Sequence, residues 1–310
     1  MKRSQTKGVL ILLLTAFIWG SAFVAQSLGA RTLQGFTFNA LRCLFALLFL
    51  IPVLLIRDGR RRKNLPEGDM YAYVGAKKNS IIFGVPLGAL LCLGSNLQQF
   101  AMDYTTPGKV AFITALYMIL VPLIGKLFGR RSSALLWLSV LVSIIGLYFL
   151  TIGKDGFSKI NFGDVLALLC AVAFGFHILL VDYASGKTDV IALSAVQFSV
   201  AGVVSAVLMV IFESLTFADF KMGLLPVVYA GVLSSGVAYT LQIVGQKHTE
   251  PTLAGLIMCA ESVFGVLTAM VVLKQIPTVR ETIGIVLMLA AIVSAQFAVK
   301  PKEDRRSVGV

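Results

Sequence analysis

Residues 8–30 read GVLILLLTAFIWGSAFVAQSLGA, 23 positions without a charge. A helix needs about 20 apolar residues to cross the hydrocarbon of a bilayer. The run follows Lys2, Arg3 and Lys7, as a secretory leader would. It exceeds the apolar core of such a leader, and no A-x-A site follows, so a retained helix is expected. Nine more runs of this kind lie near 36–56, 79–101, 107–128, 132–152, 162–183, 190–212, 222–245, 252–273 and 280–299. They are apolar all round and do not alternate, which predicts helices and not the strands of a barrel.

Composition agrees with this reading. Of 310 residues, 57% are hydrophobic and 14% charged, and mean hydropathy is +0.88. A soluble domain carries about 25% charged residues; this chain has too little polar surface to cover itself in water. The net charge of +12 would suggest nucleic acid in a soluble protein. Here the bases lie between apolar runs, so they are read as topology signals, and no nucleic-acid partner is expected. Cys43, Cys92, Cys170 and Cys259 each sit inside an apolar run. With no CxxC and no Cys/His cluster, they read as small buried hydrophobes, and neither a disulfide framework nor a metal site is expected.

Orientation follows from Lys and Arg. With the amino terminus inside, nineteen of the 27 bases fall on inner segments and seven on outer loops, with Arg42 within a span. Both termini are therefore expected in the cytoplasm. Seven inner bases sit in one long link, from Arg57 to Lys78. Elsewhere the connections are short, so successive helices are antiparallel neighbours, and no segment is large enough for a soluble domain.

The chain also resembles itself. A slide of 144 residues lays LQQFAMDYTTP at 97–107 on LQIVGQKHTEP at 241–251, and a slide of 155 lays Gly8, Trp19 and Gly20 on Gly163, Phe174 and Gly175. Five helices per half is an odd number, so the second half must enter the membrane from the opposite side. Inverted repeats of this kind are typical of secondary transporters, whose solute site lies near the midplane.

Five segments carry a resemblance to a known family. They are AFIWGSAFVA at 16–25, FNALRCLFALLFL at 38–50, NLQQFAMDYTTPGKVAFITALYMILVPLIG at 96–125, AESVFGVLTAMVVL at 260–273 and IGIVLMLAAIVSAQ at 283–296. In their order and spacing the chain resembles the drug/metabolite transporter superfamily, in its EamA-type ten-helix branch. The resemblance implies an all-α membrane protein with ten transmembrane helices as two inverted five-helix repeats around a central cavity, working by alternating access. Residues 1–156 would form the first repeat, 157–300 the second and 301–310 a cytoplasmic tail. Two departures limit the transfer. Lys274-Gln275 stands where many members have Gly-Glu after the ninth helix, and the first span lacks the acid used by small four-helix relatives.

Charges and polar groups inside spans are costly, at least ~2.5–3.5 kcal/mol for a central charge, so each needs a reason. Glu261 lies mid-span, ten residues from Glu250 and thirteen from Lys274. It reads as a proton or cation site, as a partner for a solute amine, or as a structural partner of Arg42. Arg42 reads as a snorkelling or structural residue, or as a clamp for a solute carboxylate. Asn96 and Gln99 share a helix face and must point to another helix or to a wet cavity. Tyr239 and Gln242 lie at or beside their repeat mates. His177 reads as a packed histidine or a proton relay. Tyr117 maps onto Glu261, and Trp19 onto Phe174, as candidate cavity aromatics. The candidate solute site is thus Trp19, Asn96, Gln99, Tyr117, Phe174, His177, Tyr239, Gln242 and Glu261, with Glu261 and Arg42 as candidate coupling charges.

Competing classes are weaker. No Walker A motif, HExxH or GxSxG is present, so direct use of ATP, a cofactor or enzymatic activity is not expected. Nor is there a filter loop or a soluble output domain, as a channel or sensor would need. The reading is a secondary carrier for an amino acid or similar amphipathic solute, directed to export, in the cytoplasmic membrane. Broad-specificity drug efflux is the alternative. Protons are the candidate coupling ion, and the chain would act as a monomer or homodimer.

Overall fold

The computed structural model describes residues 3–29, 32–66, 69–105, 107–129, 132–152, 160–274 and 276–299. The expected tail at 301–310 and the expected repeat boundary at 156/157 lie outside the described residues. All regular structure among the described residues is helical, and ten helical stretches are long and apolar enough to span a membrane.

Six spans are continuous helices: α1 (Arg3–Gly29), α2 (Gly35–Lys63), α3 (Met70–Tyr104), α6 (Ala134–Thr151), α7 (Phe162–Ala184) and α8 (Val190–Phe212). The last, α13 (Val279–Ala298), is also continuous. The other three are interrupted. The fourth span divides into α4 (Pro107–Thr114) and α5 (Tyr117–Leu127), and the ninth into α11 (Pro251–Met258) and α12 (Glu261–Leu273). The eighth runs from α9 (Phe217–Tyr229) through a π-helical stretch (Ala230–Ala238) into α10 (Tyr239–His248).

The two breaks are the same structure used twice. Adding 144 to the bounds of α4 gives those of α11, and adding it to the start of α5 gives the start of α12. The turn hydrogen bonds also correspond. Leu116 N–H donates to Ile113 O (3.1 Å) and Met118 N–H to Ala115 O (3.0 Å); Ala260 N–H donates to Ile257 O (3.0 Å) and Ser262 N–H to Cys259 O (3.2 Å). Each break is thus a tightened, three-residue turn of the 3₁₀ kind. The breaks touch, because Cys259 Sγ donates to Ala115 O at 3.8 Å.

Symmetry mates also pack on each other: α2 on α8, and α6 on α13. The α2/α8 pair is antiparallel and fastened at both ends. At one end, Glu213 after α8 accepts from the Phe36 and Thr37 amides at 2.8 and 2.7 Å, capping α2. At the other, Asp189 caps α8 by accepting from Ala192 N–H at 2.9 Å. Its other carboxylate oxygen pairs with Arg57 of α2 and lies 3.6 Å from Lys77 of α3. Ser80 Oγ accepts from Asp189 N–H at 2.9 Å.

The long basic link is more helical than its charge suggests. Lys and Arg are good helix formers, and α2 continues through Arg60, Arg61 and Arg62 to Lys63, while α3 begins at Met70. At about 1.5 Å per residue, the 35 residues of α3 exceed the roughly 30 Å hydrocarbon.

Two stability predictions follow from this packing. Burial alone would raise the Asp189 carboxyl, but hydrogen bonds from Arg57 and the Ala192 amide hold it below the usual carboxylate range. Asp189→Asn keeps an N-cap acceptor and removes only the charge. We expect a loss of about 1–2 kcal/mol in thermal unfolding in detergent near neutral pH. Because the folded value is depressed, the wild-type advantage is full above about pH 4, the unfolded value. It vanishes as pH falls through the folded value; an advantage that grew on acidification would contradict the ion-pair assignment. Separately, a Cβ on Gly20 of α1 would lie 2.5 Å from the Glu261 carbonyl of α12, whereas one on Gly75 would meet nothing within 4 Å. Gly20→Ala should therefore cost about 1–3 kcal/mol, and Gly75→Ala should be neutral or gain up to about 1 kcal/mol. Equal melting temperatures for the two variants would count against the close α1/α12 contact.

Candidate functional site

Around the two breaks lies a chamber of ≈ 70 Å³, and beyond it a wide mouth of ≈ 1030 Å³. Phe23 and Gln26 line both spaces, so the chamber opens into the mouth. The mouth is bounded by the end of α1, the start of α2, the end of α3 and the start of α4. The Asp189 cluster sits at the opposite end of α2. The protein is thus open at the face where α2 begins, although Glu213 ties α8 to α2 there, and at the opposite face Asp189 ties α8 to both α2 and α3.

The repeat lays out the chamber wall. Trp19 and Phe174, related by the 155-residue slide, both line it, as do Phe23 and Ile178. The 144-residue slide relates Ser95 to Tyr239, Gln98 to Gln242 and Tyr117 to Glu261, and all six are lining residues. Tyr117 and Glu261 are the first residues of α5 and α12. Each therefore stands at the amino end of a half-helix, where the helix dipole is positive.

Charge appears where mates differ. Arg42 lines the chamber, while its mate by the 155-residue slide, Gln197, is fully buried and its Oε1 lies 3.1 Å from His177 Nε2. Glu261 lines it opposite a tyrosine mate. Arg42 and Glu261 come from different halves and share the chamber, yet no ion pair joins them among the described residues. Arg42 Nε donates instead to Ser235 Oγ at 3.0 Å.

The π-helical stretch supplies that hydroxyl. Its wider turn offsets the backbone from the regular α pattern. Ser234 O accepts from Trp19 Nε1 at 3.0 Å, and Ser235 holds Arg42. Tyr239, just after the stretch, packs its ring against Trp19 at 4.8 Å and stands 6.1 Å from the His177 ring. Ser234 Oγ and Gln242 Oε1, both on lining residues, are buried without a hydrogen-bond partner among the described residues. Buried polar atoms normally have one, so the wall of this space has hydrogen-bonding capacity to offer.

Of the candidate residues, the structure brings Trp19, Arg42, Tyr117, Phe174, His177, Tyr239, Gln242 and Glu261 to one chamber. It places Asn96 and Gln99 elsewhere. Asn96 Nδ2 donates to Cys92 O of its own helix at 2.8 Å and across to Ser205 Oγ of α8 at 3.3 Å, and its Oδ1 accepts from Asn39 Nδ2 of α2 at 3.0 Å, so its outward bonds are interhelical. Gln99 lines the mouth. The candidate list omitted Ser95 and Gln98, although the slide that pairs them with Tyr239 and Gln242 identifies them.

The model of the EamA-like transporter family matches this chain twice, over residues 6–152 and 161–295. An uncharacterized transporter of Archaeoglobus fulgidus is 29% identical over 293 residues, covering 93% of this chain and 85% of the relative. The uncharacterized inner membrane transporter YedA of Escherichia coli K12 is 24% identical over 241 residues, covering 76% of this chain and 73% of the relative. A solved crystal structure at 19% identity superposes with a TM-score of 0.73, covering 94% of this chain and 98% of the other, and shows the shared fold. With two copies of the family's pattern spanning almost its whole length, and ten helices able to cross a bilayer, the chain belongs to the EamA-like transporter family and is a multi-pass membrane transporter.

Proposed function

We propose that this transporter carries a small amphipathic solute with both an amine and a carboxylate, of the amino-acid class, by alternating access. One observation carries the reading: a guanidinium and a carboxyl group, Arg42 and Glu261, joined by no ion pair among the described residues, line one small chamber. A guanidinium fork suits a solute carboxylate, and a carboxylate suits an ammonium group. The rings of Trp19 and Tyr239 supply apolar surface for the rest of the solute. Size favours the same class. A buried water needs at least about 10–15 Å³, so ≈ 70 Å³ holds the equivalent of about five to seven. Drug-sized ligands occupy sites of about 300–1,000 Å³, which disfavours broad drug efflux through this chamber as it stands.

In this reading residues 1–156 and 157–300 are the two repeats that rock about the chamber, with 301–310 a cytoplasmic tail. One chain builds the whole chamber, so the monomer is the transporting unit. Placing both termini in the cytoplasm puts the mouth on the outer face and the Asp189 cluster on the inner face. Release to the outside is then the open step of an export cycle. Glu261 exchanges its solute amine for a proton, which couples transport to the proton gradient across the cytoplasmic membrane. The same carboxylate cannot serve both at once, and that competition is the coupling.

Reconstitution in liposomes with labelled amino acids tests this. We expect saturable flux, competed by zwitterions but not by simple amines or simple carboxylates. Arg42→Gln should raise KM about 10–100-fold, as expected for losing a charged hydrogen bond of about 1.5–3 kcal/mol. Glu261→Gln should abolish the response to a pH gradient while the protein keeps its wild-type melting temperature. Gradient-driven flux that survives in Glu261→Gln, or transport confined to large hydrophobic cations, would overturn the proposal.

A further inference from the structure

The hairpin of α2 and α3 ends in a concentration of bases, three of which neither the chamber nor the inner fastening uses. Residues 57–78 hold seven Lys and Arg against Asp58, Glu67 and Asp69. Arg57 and Lys77 are spent on Asp58 and Asp189. Arg61 and Arg62 lie over the Tyr73 ring at 5.3 and 5.7 Å. Arg60, Lys63 and Lys78 are exposed, and none has a hydrogen bond or acid partner among the described residues.

These three bases continue the faces that meet lipid. On α3, Val74, Ile81 and Val85 are 55%, 58% and 48% exposed. They recur at helical spacing on one stripe, and Lys78 falls on that stripe between Val74 and Ile81. On α2, Ile56 is 59% exposed, and Arg60 and Lys63 follow four and seven residues later on its face. The Asp58 bridge sets the register, because it ties α2 to Lys77 of α3 at 2.6 Å. Arg60 and Lys78 are therefore within roughly 5 Å of one level along the hairpin, three residues or fewer at 1.5 Å each. At that level the outward face of α2 changes from apolar to basic, and Lys78 sets a base within the outward apolar stripe of α3. Tyr71, exposed beyond it, is a residue type that favours membrane–water interfaces.

We infer that Arg60, Lys63 and Lys78 form a binding surface for the headgroup of an anionic phospholipid. A soluble anion has no use for the flanking apolar stripe. A lipid fits both parts, with its acyl chains along Ile56 and Ile81 and its phosphate at the bases. Basic clusters beside a membrane helix attract anionic headgroups by this mechanism. The surface does not depend on which solute the chamber takes.

The full-length protein in a zwitterionic detergent, titrated with phosphatidylglycerol or phosphatidylcholine and followed by native mass spectrometry, tests this. Wild type should retain phosphatidylglycerol over phosphatidylcholine, and added salt should reduce the preference. Each of Arg60→Gln and Lys78→Gln should weaken it about fivefold, the effect of one charge near a membrane surface. The triple variant R60Q/K63Q/K78Q should lose it. Lys221→Gln, at an exposed base on α9, should leave it unchanged. The exposed single substitutions keep the test open should the triple variant fold poorly. Equal retention of the two lipids by wild type would overturn the inference, as would undiminished preference in both single variants. Displacement of phosphatidylglycerol by inorganic phosphate at millimolar concentration would do the same, since it marks a soluble-anion site.

Discussion

In hydrocarbon an unpaired backbone amide or carbonyl costs several kcal/mol, so a span can be interrupted only where protein or a wet cavity takes up the freed groups. The breaks at Ala115–Leu116 and Cys259–Ala260 obey this constraint in two ways. Each closes its own backbone into a three-residue turn, as at Leu116→Ile113 and Ala260→Ile257. Each also lies against the other, with the Cys259 thiol donating to Ala115 O. Two polar interruptions that shield one another belong at the centre of the protein. Everything at the chamber follows from that position, since the residue starting each second half-helix, Tyr117 or Glu261, emerges at the wall.

Much of this was legible in the sequence, for a physical reason. A bilayer-spanning helix must be apolar along its whole length, so ten runs can be counted from hydropathy alone. The breaks were not legible as breaks, because ITALYM at 113–118 and MCAESV at 258–263 contain neither glycine nor proline. The interruption is set by packing between distant segments. The slide by 144 residues nonetheless aligns the two positions, which is how Tyr117 joined Glu261 as a candidate.

The third span shows the opposite failure. Asn96 and Gln99 share a face, and a cavity was one of two readings open to it. A helix that is apolar all round carries no moment to say which face turns where. Asn96 turns to Asn39 and Ser205, while Ser95 and Gln98 meet the chamber. The chamber-lining register was already present in the repeat, since Tyr239 and Gln242 are the mates of Ser95 and Gln98. Internal symmetry thus carries rotational information that hydropathy lacks. The π-helical stretch had no such signal, because its mate in α3 is ordinary α-helix.

That last asymmetry shows how a duplicated scaffold acquires direction. A fully symmetric chamber would offer the same groups from both halves. Here Arg42 faces the chamber where Gln197 is instead engaged with His177, and Glu261 stands where the first half has Tyr117. The serine that holds Arg42 lies in the π-helical stretch, the irregular part of the second half. The symmetric parts, α2 against α8 and α6 against α13, are packed helix pairs, and the first is fastened at both ends by Glu213 and Asp189. In the proposed function, Arg42 from one half and Glu261 from the other would orient a solute end to end on this near-symmetric frame, and they are positions at which the repeats have diverged.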